Sequence, residues 1–175
     1  MSATVKWGLI TGMVYVIFSL ISNMLGIQQG GSGGGMGILI YFLQWGGTFF
    51  TIYLGIKEIR DSELGGYISV GQSFRKGMGI ALIGGVISGI FTLVYMNFID
   101  PEMSERILEG AEDQWEQANM PEEQREMSRK VTGYFLNPYI MGPFVIIWIT
   151  LGGMIKSLIA GSILKKEEPP TIPTV

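Results

Sequence analysis

Apolar positions fill four long stretches of the chain, and short polar intervals divide them. Residues 7–56 contain no Asp, Glu, Lys or Arg, and neither do residues 77–99 or 131–155. A bilayer core about 30 Å thick is crossed by roughly 20 apolar helical residues. A soluble domain has no reason to keep such runs free of charge. The pattern predicts an all-α membrane protein with four transmembrane helices, over about 7–25, 38–56, 77–99 and 138–164. They form a single membrane domain, 1–166.

The intervals carry their own signals. Lys6 before an apolar run could open a signal peptide, but the run exceeds a usual hydrophobic region and no small-residue cleavage site follows. It reads as the first helix. Residues 26–37 are dense in glycine and predict a flexible turn; without a following Lys-Ser/Thr and a preceding strand they do not make a phosphate loop. Ser69 with Gln72 three positions on is a capping-box pattern that starts the third helix near Val70. Asp100-Pro101 ends that helix and is expected to cap the next, with Pro101 at its first position.

Residues 101–136 then show two amphipathic patterns. Leu108, Ala111, Trp115 and Ala118 recur at helical spacing, as do Met120, Gln124, Met127, Val131 and Tyr134. Asn119-Met120-Pro121 between them predicts a helical hairpin, and Asn137-Pro138 opens the last span. The proline-rich residues 167–175 are expected to be a disordered tail.

Charge adds a direction. Lys6, Lys57, Arg60, Arg75, Lys76, Lys165 and Lys166 all flank the spans on one side, whereas residues 100–137 hold four basic against ten acidic residues. The positive-inside rule puts both termini in the cytoplasm and the hairpin outside. Composition restricts the chemistry. The chain has no Cys and no His, which removes disulfides, thiolate or imidazole metal ligation and the Ser-His-Asp triad. No carboxylate lies in the four spans, so an intramembrane aspartyl protease is excluded as well. Neither catalytic nor metal residues nor a cofactor is expected, and the acidic balance disfavours nucleic acid.

Small residues recur at four-residue steps: Gly77, Ala81, Gly85 and Gly89 in the third span, Gly153, Ser157 and Gly161 in the fourth, and Gly8 and Gly12 in the first. Such stripes let helix backbones approach, within one bundle or between copies. Ile83, on the other side of the third span, is expected to tolerate change. Gly46, Gly47 and Gly55 echo the spacing of Gly152, Gly153 and Gly161, a hint of a parallel repeat. Lys156 is the charge that interrupts the fourth span. Snorkelling towards the headgroups is the favoured expectation; a buried ion or proton site is the alternative.

One segment carries a resemblance. Residues 55–61 read Gly-Ile-Lys-Glu-Ile-Arg-Asp, and residues 65–77 read Gly-Gly-Tyr-Ile-Ser-Val-Gly-Gln-Ser-Phe-Arg-Lys-Gly. With this loop motif, whose marked positions are Arg60, Asp61, Gly65, Gly66, Ser69 and Phe74, the chain resembles the bacterial domain-of-unknown-function 4199 family of small multi-pass membrane proteins over residues 6–166. The resemblance implies a bacterial cytoplasmic membrane location and brings no activity, cofactor or catalytic residue. Lys156 lies outside the residues that carry it. The expected function is a structural or assembly role, with the lipid bilayer and a second copy or another membrane protein as partners; the alternative is a small transporter or permeation subunit. An enzyme is not expected.

Overall fold

The computed structural model describes residues 1–27 and 34–166. The tail expected over 167–175 and the centre of the glycine-dense turn lie outside these residues. Six α-helices follow one another: α1 Ala3–Met24, α2 Gly34–Glu58, α3 Val70–Val94, α4 Met103–Gln117, α5 Glu122–Phe135 and α6 Pro138–Leu164. No strand element occurs among the described residues. Helices α1, α2, α3 and α6 are long and apolar enough to cross a membrane, and α2 and α3 extend through π-turns at Ile59–Glu63 and Tyr95–Ile99.

Several boundaries follow from local chemistry. Ser69 and Gln72 form the complete capping box that starts α3. Asn137 accepts a hydrogen bond from the Tyr139 amide and Pro138 takes the first turn of α6, where its missing N–H costs nothing. Asn119, with a positive φ of 52°, reverses the chain between α4 and α5.

Three expectations need correcting. Helix α2 begins at Gly34, inside the stretch read as a turn, because glycine tolerates a helix that apolar neighbours from Met36 onward stabilise. Asp100 does not cap α4, which begins at Met103 after Glu102; the Asp100 carboxylate pairs instead with Arg106. In α5 the residues Met127, Val131 and Tyr134 do share a face, but that face is exposed. The face towards α4 is polar, and Arg129 reaches Glu112 across the hairpin at 2.8 Å.

The four long helices form a bundle with two unlike ends. One end, the loop end, gathers the start of α1, the α2–α3 connection and the last turn of α6. There Ile52, Ile56, Ile59, Ile68, Ile80, Ala81, Ala160 and Leu164 make a buried core, with Trp7 and Tyr53 packed against it. The hairpin end carries the α1–α2 connection and α4–α5.

Candidate functional site

The small residues decide where backbones meet. A Cβ added at Gly161 would lie 2.7 Å from the Ser73 Cβ, and added atoms at Gly77 and Gly153 would strike Ser157 and Ala81. These contacts join α3 to α6 at the loop end. Further along, Gly85 and Gly89 face Ile146 and the Gly142 carbonyl, so α3 and α6 stay in contact towards the hairpin. Gly8 and Gly12 receive Ile83 and Ile87. Ile83 is therefore a packed side chain and not the neutral position expected of it. Within the suggested repeat, Gly46 and Gly152 both face open space, while Gly55 and Gly161 are both in close contact.

The loop motif fastens the loop end. Gly65 and Gly66 adopt φ of +64° and +90° and turn the chain back, and the Gly66 amide donates to the Arg60 carbonyl at 2.8 Å. Arg60 pairs with Asp61 at 2.7 Å and also reaches the Leu164 carbonyl at the end of α6. Ile68 and Lys166 exchange two backbone hydrogen bonds of 2.9 and 3.0 Å, and the Lys166 ammonium sits over the Tyr67 ring. Phe74 is half-buried on α3. Glu58 accepts from Lys6 and from the Trp7 indole, while Glu63 accepts from the Ala3 amide. A polar clamp thus closes the bundle over its apolar core.

Lys156 is only 2% exposed. Its Nζ donates to the Thr48 hydroxyl at 2.5 Å and to the Tyr15 hydroxyl at 3.2 Å, and lies 5.5 Å from the ring centres of both Tyr15 and Trp45. The expected snorkelling does not occur. An ammonium at the centre of a bilayer costs about 2.5–3.5 kcal/mol. Hydrogen bonds to a charged group contribute about 1.5–3 kcal/mol each, and a desolvated cation–π contact adds up to about 2 kcal/mol. The insertion figure includes relief by snorkelling, so two hydroxyls and two rings offset part of the larger cost of an ammonium held inside. Thr48 is prepared for this role because its own hydroxyl proton goes to the Gln44 carbonyl at 2.8 Å, leaving the oxygen to accept. One turn below, Thr11 and Thr51 share a hydroxyl–hydroxyl bond of 2.8 Å that ties α1 to α2.

Above Lys156, towards the hairpin, the bundle contains a cavity of about 560 Å³, within the usual range of small-molecule sites. Its walls combine hydroxyl and amide side chains, such as Ser19, Gln44, Ser88 and Thr92, with apolar ones, such as Phe91, Val145 and Trp148. Met103, the first residue of α4, lines it from the hairpin side. The Asn23 amide nitrogen is buried at that end with no hydrogen-bond partner among the described residues. No Asp or Glu is among the described lining residues. Two of the three N–H donors of Lys156 go to Thr48 and Tyr15, and no hydrogen-bond acceptor for the third is found among the described residues.

The marked residues of the sequence thus divide between two structures. The loop motif and the lower part of the stripes build the closed loop end, Gly85 and Gly89 carry the α3–α6 contact towards the hairpin, and Lys156 belongs to the cavity. Tyr15, Trp45 and Thr48 carry no local signal that would single them out. The lysine within a span, with no acid in any span, was the one signal, and it fitted snorkelling as well as hydroxyl or aromatic partners.

Comparison with known proteins places this geometry in a family. The family described as "Protein of unknown function (DUF4199)" matches residues 6–166, and the chain belongs to it. No curated protein and no solved structure matches the chain.

Proposed function

For this member of the family we propose a small carrier or permeation subunit of the bacterial cytoplasmic membrane, with both termini in the cytoplasm and the α4–α5 hairpin outside. It binds a solute in the cavity above Lys156. The observation that carries this reading is a buried ammonium at the floor of a cavity with no carboxylate among its described lining residues. Below it, Ser157 and Ile56 are completely buried, so access is from the hairpin side or from the bilayer. The orientation rests on the distribution of Lys and Arg around the spans. A structural or assembly role draws on the small-residue stripes, and those positions are occupied by neighbours within the bundle. The reading requires neither catalysis nor a cofactor.

The chain has no cysteine, so single cysteines report without background. In intact spheroplasts an impermeant, negatively charged methanethiosulfonate should modify Ser19→Cys in the cavity and Gln117→Cys in the hairpin turn. Ser157→Cys and Ser62→Cys should stay unmodified until the membrane is permeabilised. Modification of Ser62→Cys from outside would reverse the orientation. A Ser19→Cys protein that reacts with neither this reagent nor a membrane-permeant maleimide would remove the cavity as a working site.

A further inference from the structure

We infer that the ligand is a single-chain amphiphilic anion that enters sideways from the bilayer, between α2 and α6, and places its anionic head on Lys156. This deepens the proposed function and rests on the cavity being the working site. Three observations combine.

The first is charge. Lys156 is the cation of the cavity, its third N–H finds no acceptor among the described residues, and no carboxylate among the described lining residues neutralises it. An anion would complete both its charge balance and its hydrogen bonding. A cation would meet repulsion, and a neutral solute would leave the charge uncompensated in a medium of low dielectric.

The second is the wall. Phe91, Met96, Met141, Val145 and Ile149 line the cavity. A fully hydrated inorganic anion gains nothing from these surfaces, whereas an alkyl chain does. The volume of about 560 Å³ suits one short chain and is too small for the paired long chains of a membrane phospholipid.

The third is the opening. Several residues that line the cavity are also exposed on the outer surface of the bundle. On α2 these are Tyr41, at 60%, and Trp45; on α6 they are Trp148, at 67%, Leu151 and Ile155. A residue that borders both the cavity and the outside marks the edge of a gap, and these five all belong to α2 and α6. Gly152, which lines the cavity, widens the gap, since a Cβ there would meet nothing within 4 Å. The gap lies within the apolar spans, so it leads to lipid, where an amphiphile is concentrated.

The test uses the full chain in phosphatidylcholine nanodiscs, with decanoate, 1-decanol, decyltrimethylammonium and acetate as probes in calorimetric titrations. Decanoate should bind at least tenfold more tightly than each of the other three. Lys156→Arg should keep the preference for decanoate over 1-decanol, and Lys156→Met should lose it. The wild-type probe series stands by itself if the Met variant does not fold. Equal affinity for decanoate and 1-decanol would overturn the anionic head, and equal affinity for acetate would overturn the chain. Replacing part of the phosphatidylcholine with phosphatidylglycerol should leave decanoate binding unchanged; competition would assign the site to two-chain lipids and overturn the single-chain ligand. All these failures are distinct from failure of the proposed function, because Ser19→Cys would still react with one of the two thiol reagents. Bulky substitution at the gap, Gly152→Leu, should slow decanoate entry at least fivefold with methanethiosulfonate modification of Ser19→Cys unchanged. An unchanged entry rate would overturn the lateral route.

Discussion

The two halves of the bundle are made from the same four helices and differ in what those helices present to one another. At the loop end, glycine, serine and alanine on α3 and α6 bring the backbones together, and Ile52, Ile56 and Ile80 fill the remaining space. At the hairpin end α3 and α6 remain in contact through Gly89 and Gly142, so the opening is made elsewhere. It is made by α2. Where α2 carries Ile52, Gly55 and Ile56 it is packed, and where it carries Tyr41, Gln44 and Trp45 it stands off and leaves a cavity. Lipid supplies no hydrophobic drive for helices to associate, so in a membrane the fit of side chains decides whether two helices close. One helix can therefore seal a bundle along half its length and open it along the other half.

The sharpest way to break this comparison uses two adjacent residues. Gly153 abuts Ala81 and Gly152 faces open space. Gly153→Leu should cost about 3 kcal/mol or prevent assembly, since a packed interface accepts no added volume. Gly152→Leu should change stability by less than about 0.5 kcal/mol. In detergent melting curves the first difference corresponds to roughly 10 °C at this chain length. Coincident melting temperatures for the two variants would mean that the close α3–α6 contact is not what holds the loop end.

A second pair compares removal of volume. Ile56 is fully buried at the loop end, whereas Ile155 lies on α6 at the edge of the opening. Ile56→Ala should lower stability by about 2 kcal/mol through the cavity it leaves, and Ile155→Ala should have little effect. Addition of volume should run the other way. Ser19→Leu extends into existing space and should cost under about 1 kcal/mol, while reducing decanoate binding at least tenfold by filling the cavity. A Ser19→Leu protein that binds decanoate normally would separate the cavity from the ligand.

Much of the fold could be read in the sequence because its signals are local. The uncharged runs, the Ser69–Gln72 box, the Asn119–Pro121 break and the Asn137-Pro138 cap each depend on residues within one or two turns of one another. The direction taken by Lys156 was not legible in this way. Its distance from the helix end allowed snorkelling, and the groups that hold it, Thr48 and Tyr15, are 108 and 141 residues away. The start of α4 was missed for a related reason. Asp100 could cap a helix or pair with Arg106, and the arginine six residues on prevailed. The exposed stripe of α5 shows the reverse limit: periodicity identified the helix and its apolar face, but not which face the neighbouring helix would cover.

The smallest expected effect tests what the polar clamp adds to the packed loop end. Lys6 and Glu58 pair at 2.5 Å, but both side chains are more than a third exposed, and such pairs contribute about 0.2–1 kcal/mol. Glu58→Gln keeps an acceptor for the Trp7 indole and for the lysine while removing the charge. Stability should therefore fall only slightly, far less than for Gly153→Leu. Much of this pair's contribution is Coulombic, and a Debye length of about 3 Å at 1 M salt screens it. The difference in melting temperature between the wild type and Glu58→Gln should accordingly shrink as salt is raised from low concentration to about 1 M. If the loop end were instead held mainly by its ion pairs, Glu58→Gln would rival Gly153→Leu at low salt, and the wild type itself would soften in high salt. The comparison between a packed end and an open end would then become one between a charged end and an uncharged one.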